Sequence, residues 1–244
     1  MSTTAITGKT VLVTGANRGL GQALVEEALR RGAARVYAAS RQPSIHADSR
    51  VTPVTIDVTD RPQIEAAAQQ IESLDILINN AGISVADDLS DRSALDRHLA
   101  VNLYGTLDVT EAFLPKVTES RGRIVNVISL GAVAAVPVLP AYSVSKAALL
   151  SLTQSLRALV TRDGVGVQAV MPGPIDTDMV RDLPVPKTAP ELVARSIFDG
   201  VERGEEEIFP DSMSVTLAEG WRAGVTKELE RQNAMLVQPQ PLAA

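Results

Sequence analysis

Two kinds of hydrophobic pattern alternate along the chain. Short apolar runs at 10–14, 35–40, 51–55, 76–78, 123–128, 165–171 and 207–209 carry little polar alternation, as strands covered on both faces do. Between them lie longer stretches of helical periodicity near 20–31, 61–72, 91–118, 142–162 and 189–203. Such alternation predicts an α/β domain, a doubly wound sheet of about seven mainly parallel strands with helices on both faces. Asp60-Arg61-Pro62 and Thr188-Ala189-Pro190-Glu191 read as helix starts, each with a capping side chain ahead of an early proline. No repeat or linker divides the chain, so one domain is expected over 1–244, its last part (about 221–244) an amphipathic and then frayed tail.

The stretch at 142–162 is apolar on more than one side. Ala147, Ala148, Leu149, Leu150, Leu152, Leu156, Leu159 and Val160 spread beyond a single stripe, so this helix needs cover from more than one direction. Neighbouring elements of the domain would provide it, and so would a second subunit in a homodimer or homotetramer.

Composition then narrows the chemistry. Cysteine is absent, which removes disulfides, thiolate metal sites and a thiol nucleophile together. With only His46 and His98, neither a metal cluster nor a serine–histidine triad is expected, and no metal is predicted. A formal net charge of −6 argues against a nucleic-acid partner. The N-terminal residues lack a basic-then-apolar leader, and no apolar run approaches the ~20 residues that span a bilayer. A cytoplasmic protein without a membrane partner is the expectation.

Thr14-Gly15-Ala16-Asn17-Arg18-Gly19-Leu20-Gly21 joins the first apolar run to the first helical one. Glycines there let the backbone turn tightly and approach a pyrophosphate resting on the helix N-terminus. Position gives the motif its weight: it follows a strand, opens a helix and heads a βαβ unit. Dinucleotide sites selective for NAD place an acid about 20 residues on, against the ribose 2′-hydroxyl. Here that neighbourhood reads Ala38-Ala39-Ser40-Arg41. Arg41 can pair with a 2′-phosphate, Ser40 can donate to it, and Arg18 can reach it from the turn, so NADP(H) is the predicted cofactor.

Tyr142-Ser143-Val144-Ser145-Lys146 sets a phenol and an ammonium at i and i+4, on one helix face. A free tyrosine titrates near pH ~10, too high for efficient proton transfer at neutrality, and a neighbouring cation favours the phenolate. Ser129 follows the fifth apolar run, where parallel sheets gather functional groups, and its hydroxyl can bind a substrate oxygen. Asn79-Asn80-Ala81-Gly82 ends the fourth run in the same way, and Asn102 is a polar residue in an otherwise apolar helical stretch.

From about residue 8 to 210, this ordered set resembles the short-chain dehydrogenase/reductase family, in its compact single-domain branch. Ser129, Tyr142 and Lys146 carry the resemblance, with the glycine turn, Asp57, Asn79–Gly82, Asn102 and Pro172-Gly173 with Thr177. The resemblance implies a Rossmann-type fold and an oxidoreductase acting between C=O and CH–OH groups. Tyr142 would exchange the substrate proton, Lys146 would lower its pKa and hold the nicotinamide ribose, Ser129 would orient the substrate, and Asn102 would anchor a proton-relay water. Gly15, Asn17, Arg18, Gly19, Leu20 and Gly21 would line the phosphates, with Ser40 and Arg41 as the NADP-type choice. Asp57 and Val58 would contact adenine, and Asn79, Ala81 and Gly82 the middle of the cofactor. Pro172, Gly173, Ile175 and Thr177 would seat the carboxamide.

Departures bear on substrate and assembly. Leu130 stands where family members often have a second serine, and the segment 178–188 is short and proline-rich, which implies an open pocket. The Gly-Gly ending of many tetrameric members is absent. Residues 132–139 read Ala-Val-Ala-Ala-Val-Pro-Val-Leu, an apolar lining suited to a neutral hydrophobic ketone, aldehyde or secondary alcohol, so a carbonyl reductase is expected. The rival readings are a non-catalytic NADP-binding regulator, an NAD-preferring alcohol dehydrogenase, and a lyase or epimerase working by transient oxidation. The intact proton-transfer set opposes the first, and the glycine spacing opposes the last.

Overall fold

The computed structural model describes residues 5–181 and 184–237. Seven strands, β1 (Thr10–Thr14), β2 (Arg35–Ser40), β3 (Val51–Thr55), β4 (Ile76–Asn79), β5 (Arg123–Val127), β6 (Gly166–Val170) and β7 (Glu207–Ile208), form one sheet. Its order is β3-β2-β1-β4-β5-β6-β7 and every pairing is parallel. The "mainly parallel" expectation becomes wholly parallel. Strand order reverses between β1 and β4, and a crevice opens at the carboxyl ends of strands beside that switch point.

Along the central strands, successive side chains serve opposite faces. Val11 and Val13 pack with α1 (Gly19–Arg30) and α6 (Pro190–Arg203), whereas Leu12 between them packs with α2 (Arg61–Gln70) and α4 (Gly105–Glu119). Ile76, Leu77 and Ile78 divide the same way. Both faces of the strand demand apolar residues, which is why the sequence pattern showed runs rather than alternation. Asp60 caps α2 as its spacing predicted, accepting from the Gln63 N–H at 3.1 Å. Ala189, not Thr188, occupies the capping position of α6, and its side chain makes no such bond.

The predicted helix at 91–118 is interrupted. α3 (Arg92–Leu99) gives way to a π-helical turn, Ala100–Tyr104, before α4 begins. Asn102 lies inside that turn, and such bulges commonly sit at functional sites. α5 (Pro140–Val160) is covered within the chain by α3, β6 and the C-terminal helix α8 (Val225–Ala234). An uncharged stripe of Val144, Ala147, Ser151, Ser155 and Leu159 stays exposed. The tail folds back as α7 (Val215–Arg222) and α8, the latter anchored by the buried Lys227. The fraying expected from Gln238 onward lies outside the described residues. Among those described, no helix is long and apolar enough to cross a membrane, and no cluster of metal-ligating side chains occurs.

Candidate active site

Two loops at the switch point are stapled together before they can meet a ligand. Thr14 Oγ1 accepts from the Asn80 and Ala81 N–H groups at 3.0 and 3.1 Å, while Asn80 Nδ2 donates to Thr14 O at 2.9 Å. Glycine is required where the loops touch. At Gly15, with φ +66°, a Cβ would stand 2.9 Å from Ala81 Cα, and at Gly21 it would stand 2.0 Å from Gly15 O. The turn therefore lies flat, with the N-terminus of α1 behind it.

A cleft of about 1280 Å³ runs from this turn to Ser129, Tyr142 and Lys146. Gly15, Asn17, Arg18, Gly19, Leu20, Gly21, Ser40, Arg41, Asp57, Val58, Ala81 and Gly82 line it, as do Ser129, Tyr142, Lys146, Pro172, Gly173, Ile175 and Thr177. Two predicted members lie behind the wall. Asn79 corrects one expectation: the strand turns its side chain inward, where Nδ2 donates to Thr110 Oγ1 and Asn126 Oδ1 at 3.0 and 2.9 Å, and Asn80 lines the cleft instead. Asn102 is wholly buried, with Oδ1 accepting from the Ile83 N–H at 2.8 Å and Nδ2 donating to Ser145 Oγ at 2.9 Å. A Cβ on Gly82 would lie 3.2 Å from Asn102 Oδ1 and 3.7 Å from Lys146 Nζ, so both groups approach one point behind the wall.

The residues around the end of β2 fit a nicotinamide dinucleotide. Ser40 ends β2 with its hydroxyl buried and without a hydrogen-bond partner, beside the exposed Arg41. No acid stands at that strand end. Asp57 is held below the usual carboxylate range by the Thr59 N–H and hydroxyl, and the Arg41 charge adds to this. Arg18 bridges the cleft mouth to Asp178 at 3.1 Å; the pair is exposed and correspondingly weak.

At the other end, Ser129 follows β5 and Tyr142 stands on the first turn of α5, both lining the cleft. Burial pushes the phenol above its ordinary value, and the nearby Ser129 hydroxyl works against that rise. One turn on, Lys146 Nζ lies 5.7 Å from the centre of the Tyr142 ring and donates to Val127 O at 2.8 Å. Burial lowers this ammonium from 10.5 to about 8. An unfolded chain thus binds the Lys146 proton more readily between pH 8 and 10.5, and stability rises with pH across that window. Lys146→Met is expected to melt a few degrees above the parent at pH 7.5, with the gap closing toward pH 10. A gap that is constant or widens with pH in thermal melts would refute this.

Several lining residues carry no sequence signal. Asp211 is buried and accepts from the N–H groups of Gly173, Met213 and Ser214 at 2.8, 3.0 and 2.9 Å. It thereby holds Met213 against Gly173 in the wall of the cleft, where Val136, Val138, Leu139, Met179 and Val185 complete an apolar rim. Nothing local marked 211–213, because the contact joins segments that follow β6 and β7.

Comparison with known proteins agrees with this geometry. The family model for short chain dehydrogenases matches residues 9–187. Oxidoreductase UcpA of Salmonella typhimurium is 36% identical over 193 residues, covering 73% of each chain. Ketoacyl reductase HetN of Nostoc sp. is 32% identical over 236 residues, 87% of this chain and 82% of its own. A solved short chain dehydrogenase from Burkholderia cenocepacia J2315, in complex with NADP, superposes with a TM-score of 0.84 at 37% identity, covering 96% of this chain and 100% of that one. Fold and relatives agree, and the chain belongs to the short-chain dehydrogenase family of oxidoreductases.

Proposed function

We propose that the chain is an NADP(H)-dependent carbonyl reductase for neutral, mainly apolar ketones or aldehydes, able to run the matching alcohol oxidation in reverse. The observation that carries the reading is the convergence of Ser129, Tyr142 and Lys146 in the wall of the cleft that begins at the phosphate turn, with Lys146 Nζ 5.7 Å from the centre of the Tyr142 ring. Bound NADP(H) supplies or accepts the hydride. Ser129 orients the substrate oxygen, and Tyr142 gives that oxygen a proton in reduction and takes it back in oxidation. Lys146 holds the ribose hydroxyls and steadies the phenolate, and Asn102 lies on the route by which its proton is replaced. The apolar rim supports a substrate with a hydrophobic body and one polar centre. The exposed stripe of α5 is where we place the contact of a homodimer or homotetramer, and the sedimentation mass of the purified chain tests that contact.

Cofactor choice rests on Ser40 and Arg41. A carboxylate at the end of β2 would repel a 2′-phosphate, whereas a guanidinium pairs with it. The NADP bound to the Burkholderia relative supports the same choice. The test is kcat/KM for NADPH and NADH with a panel of aryl and cyclic ketones. Arg41→Asp is expected to lower the NADPH value roughly 10- to 100-fold and to leave NADH within threefold. Equal use of both nucleotides by the parent, unmoved by the substitution, overturns the assignment.

A further inference from the structure

Between β4 and α3 the chain runs as an irregular strap over the start of α5, and its Ile83 and Ser84 line the cleft. Side chains rather than a ladder hold it. Ile83 exchanges two bonds with the Asn102 amide, its N–H donating at 2.8 Å and its carbonyl accepting at 3.0 Å. The Val85 N–H donates to His98 Nε2 at 3.1 Å, and Asp87 Oδ2 accepts from the Ala141 N–H at 3.2 Å. His98 thus makes the middle tie.

The neighbours of His98 fix its protonation. It is 1% exposed, and Nδ1 lies 2.7 Å from Ala94 O, an acceptor only, so Nδ1 carries the hydrogen. Nε2 faces a backbone N–H, a donor only, and must present its lone pair. The same ring stands edge-on to Tyr142, with centroids 6.5 Å apart and planes at 73°, within the range of a T-shaped aromatic contact. One imidazole therefore touches the strap at Val85 and the tyrosine proposed to transfer the proton.

We propose that His98 is a positioning residue that clamps the strap through Val85 and buttresses the Tyr142 ring, a role that rests on Tyr142 being the proton donor. Upstream of the strap, Asn80 and Ala81 are tied separately by Thr14. Ile83 keeps its own ties to Asn102, so loosening at Val85 frees the wall from Ser84 onward and spares the side that faces the dinucleotide. The two jobs of the ring can be separated. His98→Phe keeps a flat ring beside Tyr142 and removes the acceptor at Nε2, whereas His98→Gln keeps an amide donor and acceptor and removes the ring.

In His98→Phe, the substrate KM is expected to rise roughly tenfold, with the NADPH KM and kcat within twofold. His98→Gln restores the substrate KM toward the parent value and lowers kcat several-fold. Hydrogen exchange of the peptide covering residues 83–88, followed without substrate, speeds up in His98→Phe and returns toward parent rates in His98→Gln. Nitrogen NMR of the parent shows a neutral ring protonated at Nδ1. Unchanged exchange at 83–88 in His98→Phe, or a ring protonated at Nε2, overturns the clamp whatever the enzyme reduces. A rise in both KM values together reduces His98 to a general stability role and also overturns it. If the parent reduces no carbonyl while the exchange pattern holds, the carbonyl-reductase reading fails and the clamp on the strap stands.

Discussion

Replacing Tyr142 by phenylalanine is expected to lower kcat/KM for NADPH-driven ketone reduction by about 10²–10⁴-fold, the usual worth of a positioned general acid. The ring stays, so the edge contact with His98 and the packing of the first turns of α5 survive; only the hydroxyl goes. Burial keeps that hydroxyl protonated in the free protein, the form needed for reduction. Charge then develops on the tyrosine oxygen as the proton leaves, and the Ser129 hydroxyl and the Lys146 ammonium are the groups placed to meet it. Since these act as a unit, adding Ser129→Ala to Tyr142→Phe should cost far less than Ser129→Ala does alone. Steady-state oxidation of NADPH measures both. Activity within threefold of the parent in Tyr142→Phe, or full additivity of the pair, would remove Tyr142 from the proton-transfer role.

How much of this was legible beforehand differs from element to element. All seven strands and the helices between them could be read because burial on both faces imposes apolar runs and because Gly and Pro punctuate the turns. The residues that the fold brings into one cleft could be picked out where short spacings suggest chemistry: Tyr142 with Lys146 on one helix face, or Ser129 at a strand end. Misreadings came where a single residue of phase decides the outcome. β4 continues through Asn79, so its side chain faces inward to Thr110 and Asn126, and Asn80 is left to line the cleft. The π-helical turn at Asn102 was hidden because an extra residue in one turn barely disturbs hydrophobic periodicity. His98 looked like one of two isolated histidines until the fold laid Val85 and Tyr142 against it. Asp211 and Met213 were invisible because their partner, Gly173, is far away in sequence.

The C-terminal tail is the clearest case of structure adding to sequence, and Lys227→Met should show it as a loss of about 3–5 kcal/mol of stability. For a chain of this size that is a fall in Tm of roughly 6–20 °C. Lys227 is 2% exposed on α8, and its ammonium lies 2.7, 2.8 and 3.0 Å from carboxylate oxygens of Glu206, Glu207 and Glu230. Arg157, from α5, pairs with Glu207 at 2.9 Å and with Glu230, and also donates to the carbonyls of Val167 and Glu206. Removing Lys227 leaves three carboxylates, the buried Glu207 among them, with too little positive charge, and that uncompensated charge is the source of the cost. Adding Glu230→Gln to Lys227→Met should therefore recover part of the stability rather than lower it further. Acid acts on the same network. Burial alone would raise the Glu206 pKa, but Lys227 and then Arg157 hold it below its ordinary 4.5. Its contribution is present in full above that value and is lost as pH falls through the lower folded-state pKa. Lys227→Met should lack this share of the acid sensitivity, while its kcat at low temperature stays near the parent's, because Ser129, Tyr142 and Lys146 do not touch α8. A fall in Tm of under 2 °C, or a double variant weaker than the single one, would mean that α8 is held by its apolar contacts and that the buried charges only tolerate one another.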